Sequence, residues 1–132
     1  MIGESAPVLA SPVVRVAEEL LRRAGCLRRE HPWSPDASRA TVDFALLAEQ
    51  AGVLDLSEEA VARIALSLAT GRPVDLRRAA GFLTRGHAEL VMVAIAIAAG
   101  HDRATSRIRV VGEERRVEVA PPLAVWPDDA GV

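Results

Sequence analysis

Lysine, asparagine and tyrosine are missing altogether from this chain of 132 residues, and glutamine occurs once, at Gln50. These three residues share AT-rich codons, so their joint absence is the mark of a GC-rich bacterial genome rather than of a functional device. The chemical consequence is that all fixed positive side-chain charge resides on 16 arginines, so arginine abundance alone is poor evidence for nucleic-acid binding. Most of the amide and phenol groups that position polar substrates are gone too, which argues against an elaborate active site. Cysteine is nearly absent: Cys26 stands alone, excluding an internal disulfide and fitting a reducing cytoplasm. A lone thiol in a helical chain is expected to be a small buried hydrophobe. Long hydrophobic runs are lacking as well. The longest, Leu90 to Gly100, is 11 residues, against the roughly 20 that a bilayer span requires. Met1 to Ala10 has neither a basic region nor a sustained apolar core, so no export signal is expected. The nine glycines are scattered rather than gathered into a phosphate-cradling loop, and no G-x-S-x-G elbow occurs. No cofactor is expected.

What is present is a foldable composition. Half of the residues are apolar and 26% charged, with mean hydropathy +0.18, which excludes wholesale disorder. The length suits one domain burying roughly two-thirds of its surface. A net charge of −2 provides no general attraction to polyanions, so any such binding would need a local patch.

Periodicity divides the chain into a tail over 1–10, one domain over 11–122 and an acidic tail over 123–132, with Trp126 tacked onto the body. Ser11-Pro12 is a cap followed by proline at the first helical position. Val13, Val16, Ala17, Leu20, Leu21 and Ala24 then form an amphipathic stripe ended by Gly25, with Glu18–Arg22 and Glu19–Arg23 spaced as ion pairs. Ser34-Pro35 repeats that signal and predicts a second helix to about Ala51, burying Ala37, Ala40, Phe44, Leu47, Ala48 and Ala51. Ser57 before Glu58 and Glu59 predicts a third to Ala69 or Thr70, burying Val61, Ile64, Ala65 and Leu68 and ended by Gly71. Asp75 caps a shorter fourth, Leu76 to about Leu83. The segment 87–100 is ambiguous, because Val91, Val93, Ile95 and Ile97 alternate as in a strand. Its length and alanine content favour a fully buried helix at the centre of the fold. After Gly100 the pattern changes to period two, and 107–111 and 116–120 predict a hairpin about Gly112–Arg115, with Ile108, Val110, Val117 and Val119 facing inward. The fold class expected is mainly α, a compact bundle of about five helices with a C-terminal β-hairpin at 107–120 packed on one side.

Three short patterns touch on chemistry. His87-Ala88-Glu89 resembles the H-x-E that opens the zinc helix of cytidine-deaminase-type enzymes. That chemistry also needs a P-C-x-x-C pair downstream, whereas Cys26 lies upstream and Pro121-Pro122 brings no thiol. A polar first helical turn is the simpler reading. His101-Asp102 is similar to the metal-binding dyad of HD phosphohydrolases, which gather a further His before it and an Asp after it. His87 is only 14 residues upstream and the next Asp is Asp128 in the tail, so a solvated helix C-terminus is simpler. The third pattern is arginine around the hairpin, Arg103, Arg107, Arg109, Arg115 and Arg116, as on the wing of a winged-helix protein, with Arg77, Arg78 and Arg85 as alternative readers. Yet 101–120 carries a net charge of only +1, and the apolar segment 87–99 could not read base edges. The paired glutamates at 18–19, 58–59 and 113–114 are sequence neighbours and do not share a helix face.

The expectation is therefore a small cytoplasmic, non-enzymatic interaction or regulatory protein working through helix-mediated contacts with a protein partner or a second copy, with no membrane contact and no catalytic or metal residue. The alternatives are a winged-helix nucleic-acid-binding regulator using Arg77, Arg78, Arg85, Arg107, Arg109, Arg115 and Arg116, and a small metal-dependent hydrolase using His87, Glu89, His101 or Asp102.

Overall fold

The structure, a computed structural model, describes residues 11–127; the expected tail over 1–10 and the end of the acidic tail lie outside them. Five α-helices precede one hairpin: α1 (Pro12–Arg23), α2 (Phe44–Gln50), α3 (Leu56–Thr70), α4 (Leu76–Phe82), α5 (Arg85–Ala98), β1 (Thr105–Val111) and β2 (Glu114–Ala120). A single 3-10 turn, Ala51–Val53, follows α2. The mainly α class with a C-terminal hairpin is what the periodicity implies.

Helix α1 begins as its sequence dictates, with the Ser11 hydroxyl accepting the Val14 N–H at 3.2 Å and Pro12 in the first turn. Its Val16, Ala17, Leu20 and Leu21 are buried. Of the expected pairs, Glu19–Arg23 forms at 2.6 Å. Glu19 takes both Arg22 and Arg23, while Glu18 accepts the backbone N–H of Val42 at 3.0 Å and so holds the following connector against the helix.

The second helix does not start at Ser34-Pro35. The Ser34 hydroxyl turns back to donate to the Arg28 carbonyl at 2.8 Å, so it faces the preceding connector rather than the residues that follow. Asp36 then closes a tight turn, its carboxylate accepting the Ser38 and Arg39 N–H groups at 2.8 and 3.0 Å. Such local side-chain bonds compete with helix formation. The chain turns helical only after Asp43, which accepts the Leu46 N–H at 3.0 Å, and Ala37 and Ala40 are left exposed. Asp55, not Ser57, likewise caps α3, accepting the Glu58 N–H at 2.8 Å. Ser57 sits inside the first turn and is buried.

The centre of the bundle is α3, which packs against α1, α2, α4 and α5 and buries Ser57, Glu58, Ala60, Val61, Ala62, Ile64, Ala65 and Leu66. The expectation of a fully buried 87–99 at the centre is corrected here. The segment is helical, but it lies on the flank against α1 and α3, leaving Met92 71% and Ile95 48% exposed. An all-apolar circumference allows central burial without requiring it, and α3 already fills that place. Between α1 and α2 the connector plugs the core with Trp33, fully buried, stacked on His31 with ring centres 4.5 Å apart and donating its Nε1–H to the Cys26 carbonyl at 2.9 Å.

Strands β1 and β2 pair antiparallel from Thr105↔Ala120 to Val111↔Glu114; β1 begins two residues earlier than the alternation indicates, and β2 takes in Glu114 and Arg115, which were expected in the turn. Gly112 has φ 63° and, among the described residues, no non-glycine residue has positive φ, the pattern of a two-residue II′ turn. The expectation that the hairpin packs on the body is also corrected. Every residue of both strands is exposed except half-buried Glu118. Beyond the hairpin the chain returns to the bundle: the Leu123 N–H donates to the His101 carbonyl at 2.8 Å. Trp126 lies under the Arg23 guanidinium, 5.1 Å from ring centre to Cζ.

Candidate functional site

The polar residues singled out by sequence are scattered by the fold. His87 begins α5 and His101 follows its end, and a 14-residue helix separates its ends by about 20 Å. Glu89 and His101 are exposed, and Asp102 is half-buried. Among the described residues no group of three or more His, Cys, Asp and Glu is placed to hold a metal ion.

His87 instead enters a relay that sequence spacing cannot reveal, because its partners are 30 and 63 residues away. Its Nε2 lies 3.0 Å from the Ala24 carbonyl, which can only accept, so in the neutral ring Nδ1 accepts in turn from the Ser57 hydroxyl at 2.6 Å. The Ser57 oxygen accepts the Thr84 N–H at 2.9 Å, and the Thr84 hydroxyl caps α5 by accepting the His87 N–H at 3.2 Å. A serine beside a histidine has the outline of a nucleophile and base. Here each polar atom is committed to a bond that ties the starts of α3 and α5 to the end of α1. The histidine's second nitrogen faces a peptide carbonyl rather than an orienting carboxylate.

A second buried polar cluster surrounds Cys26. Gly25, at φ 83°, reverses the chain after α1, and the Cys26 thiol donates to the Glu58 carbonyl at 3.6 Å. Burial pushes this thiol up to about 12, with the nearby Glu58 carboxylate adding to the effect. Such a thiol is almost wholly protonated at neutral pH and a poor nucleophile. The buried Glu58 carboxylate is met by Arg28 at 3.0 Å, so no unpaired charge is left inside.

The seven arginines of the nucleic-acid reading fall into separate groups. Arg77, Arg78 and Arg85 are exposed on α4 and at the start of α5, with Arg78 lying over the Phe82 ring at 5.4 Å. On the hairpin, pairing places Arg107, Arg109 and Arg116 on one face with Glu114 and Glu118. There Arg109 pairs with Glu118 at 3.1 Å, Arg107 with Glu118 at 3.6 Å and Arg116 with Glu114 at 3.0 Å. Arg115 is on the opposite face, across from Val110.

That opposite face is the most unusual surface of the molecule. Ile108 pairs with Val117, flanked by Val110 and Val119, and these four side chains are 65–71% exposed. Single exposed apolar residues are ordinary, whereas here four β-branched residues stand together on one face of the strand pair. The alternation showed that these residues share a face; it carried no information on whether a helix covers it. A cavity of about 220 Å³ between α3 and α4 is lined by apolar Leu56, Ala60 and Phe82 and by charged Glu59, Arg63 and Arg78.

The fold and surface define a small helical domain bearing a projecting, two-faced hairpin. No protein-family model matches the chain, and no curated protein or solved structure does either. Among the described residues no helix is long and apolar enough to cross a membrane.

Proposed function

We propose that this is a non-enzymatic interaction protein that regulates or assembles with other protein chains, and that the hairpin is its contact element. One observation carries the reading: Ile108, Val110, Val117 and Val119 are presented together on an element outside the helical core. The residues with catalytic outlines support it indirectly, since Ser57, His87 and Cys26 are engaged in holding helices together. The charged face mixes Arg107, Arg109 and Arg116 with Glu114 and Glu118, and this interspersed charge gives phosphate little net attraction and suits a protein surface of matching pattern.

The test is photo-crosslinking in an extract of the source cells, with the reactive group at position 108 and a control at exposed Leu76 on α4. Discrete protein adducts are expected at 108 alone. Unlabelled wild-type chain should compete them away, and an Ile108→Thr/Val110→Thr chain should not. Equal labelling from both positions, or no adduct at 108, would overturn the reading.

A further inference from the structure

We propose that a second copy of the chain binds along the free edge of β2, so that two hairpins form one four-stranded antiparallel sheet about a twofold axis at Val117. The inference rests on the reading of the hairpin as the contact element and names its partner.

A two-stranded sheet has two open edges, and an unprotected edge is a template for another strand. Which backbone groups point outward follows from the turn. A two-residue turn is closed by a bond from the Val111 carbonyl to the Glu114 N–H, and inward pairs alternate from there. Glu114, Arg116, Glu118 and Ala120 therefore direct their backbone toward β1, whereas Arg115, Val117 and Val119 direct theirs to the open edge. No proline interrupts either strand, and Pro121 and Pro122 follow β2 directly.

Charge selects the edge. Strand β1 carries Arg107 and Arg109 and no carboxylate, so joining it to its own copy brings guanidinium groups beside each other. Strand β2 carries Glu114, Arg115, Arg116 and Glu118, both signs in an order that can match itself.

Charge also selects the register. Centred on Val117, the strand lies against its copy over its whole length, Glu114 opposite Ala120 and Arg115 opposite Val119. Arg116 then stands opposite Glu118 twice, once on each side of the axis. Centred on Arg116, the strands would set Arg116 against itself and Glu114 against Glu118. A centre at Glu118 sets that carboxylate against its copy. One at Arg115 places Glu114 opposite Arg116 but sets Arg115 against itself and leaves Val119 and Ala120 without a facing strand. A centre at Val119 runs into Pro121, which has no N–H to contribute. Only the Val117 register pairs unlike charges without setting like charges against each other, uses the outward-facing backbone of Arg115, Val117 and Val119, and fills the strand.

Because the axis stands perpendicular to the sheet, both apolar faces lie on the same side. Ile108, Val110, Val117 and Val119 of the two copies then make one continuous face of twice the area, which is the surface offered to a further protein.

The closing experiment combines charge reversal with a positional disulfide. Glu118→Arg, and separately Arg116→Glu, should weaken self-association in sedimentation by about tenfold or more. The double variant, which exchanges the two charges, should return it close to the wild-type value, with amide chemical shifts over 105–120 confirming that the hairpin is intact throughout, since Glu118 also pairs with Arg107 and Arg109 within it. A hydrogen-bonded antiparallel pair holds its Cα atoms about 5.5 Å apart, within disulfide reach. Val117→Cys should therefore oxidise to a covalent dimer, whereas Val110→Cys, on the strand away from the axis, should not. Wild-type chain that sediments as a monomer at high micromolar concentration overturns the proposal. So does a double variant as weak as either single one, or equal crosslinking at 110 and 117. A monomeric chain that still captures proteins from position 108 overturns the dimer and leaves the interaction reading standing. A dimer that captures nothing does the reverse.

Discussion

At the scale of single residues, the reactive groups this chain offers are engaged in structure. Cys26 is buried with its thiol pushed up to about 12, so Ellman's reagent at mildly alkaline pH should leave the native protein unlabelled and react only as it unfolds. Rapid stoichiometric labelling of native protein would contradict the buried geometry. His87→Ala removes the middle of the relay and leaves the Ser57 hydroxyl and the Ala24 carbonyl without their partner. The expected loss is about 1–3 kcal/mol of stability by denaturant unfolding. Ser57→Ala, which frees fewer groups, should cost less. Glu19 illustrates the pH side. Its carboxyl is held below the usual value mainly by the Arg22 hydrogen bond, against partial burial, with Arg23 adding. A depressed carboxylate contributes stability above its unfolded pKa and loses it as pH falls through the folded value. Glu19→Gln should therefore cost less than about 1 kcal/mol at neutral pH, read as a lower urea midpoint, because solvent screens a carboxylate that is only partly buried. Below the carboxylate range, variant and wild type should converge.

At the scale of elements, local signals and tertiary ones separate cleanly. The starts of α1 and α4 and the two strands were legible because their determinants lie within a few residues: Ser11 with Pro12, Asp75 before Leu76, and period-two alternation about Gly112. The start of α2 was not legible, because what Ser34 does depends on where the Arg28 carbonyl lies. The cap that does operate, Asp43, sits in the same sequence without a following proline to advertise it. Asp43→Ala should destabilise the protein by about 1 kcal/mol, while Ser34→Ala should leave the helicity of 44–50 unchanged in amide chemical shifts. The helix at 85–98 won over a strand for a reason only partly visible in sequence: Thr84 caps it, and its Val91 and Ala94 meet the buried cluster formed by α1 and α3.

At the scale of the molecule, the sequence identified which residues share a face and could not say which faces meet. Four β-branched residues on one side of a hairpin look the same in sequence whether a helix covers them or solvent does. The contrast predicts a division of labour. Leu20→Ala, in the packed interface of α1 with α3, should cost about 2–5 kcal/mol. Val110→Ala, on the projecting hairpin, should stay within about 0.5 kcal/mol in the same denaturant titration. Comparable losses would mean that the hairpin belongs to the core after all. For the candidate site the limit was the same. His87 was noticed for its sequence neighbour Glu89, yet its working partners come from α1 and α3.

The two tryptophans have a practical corollary. With no tyrosine in the chain, near-ultraviolet emission comes from Trp33 and Trp126 alone. One is sealed against His31 in the connector, and the other is laid under Arg23 by the returning C-terminal segment. Trp126→Phe leaves an optical reporter of connector packing, and Trp33→Phe leaves one of C-terminal docking. The protein thus carries two separable fluorescent gauges, one for each long excursion its chain makes away from the bundle and back.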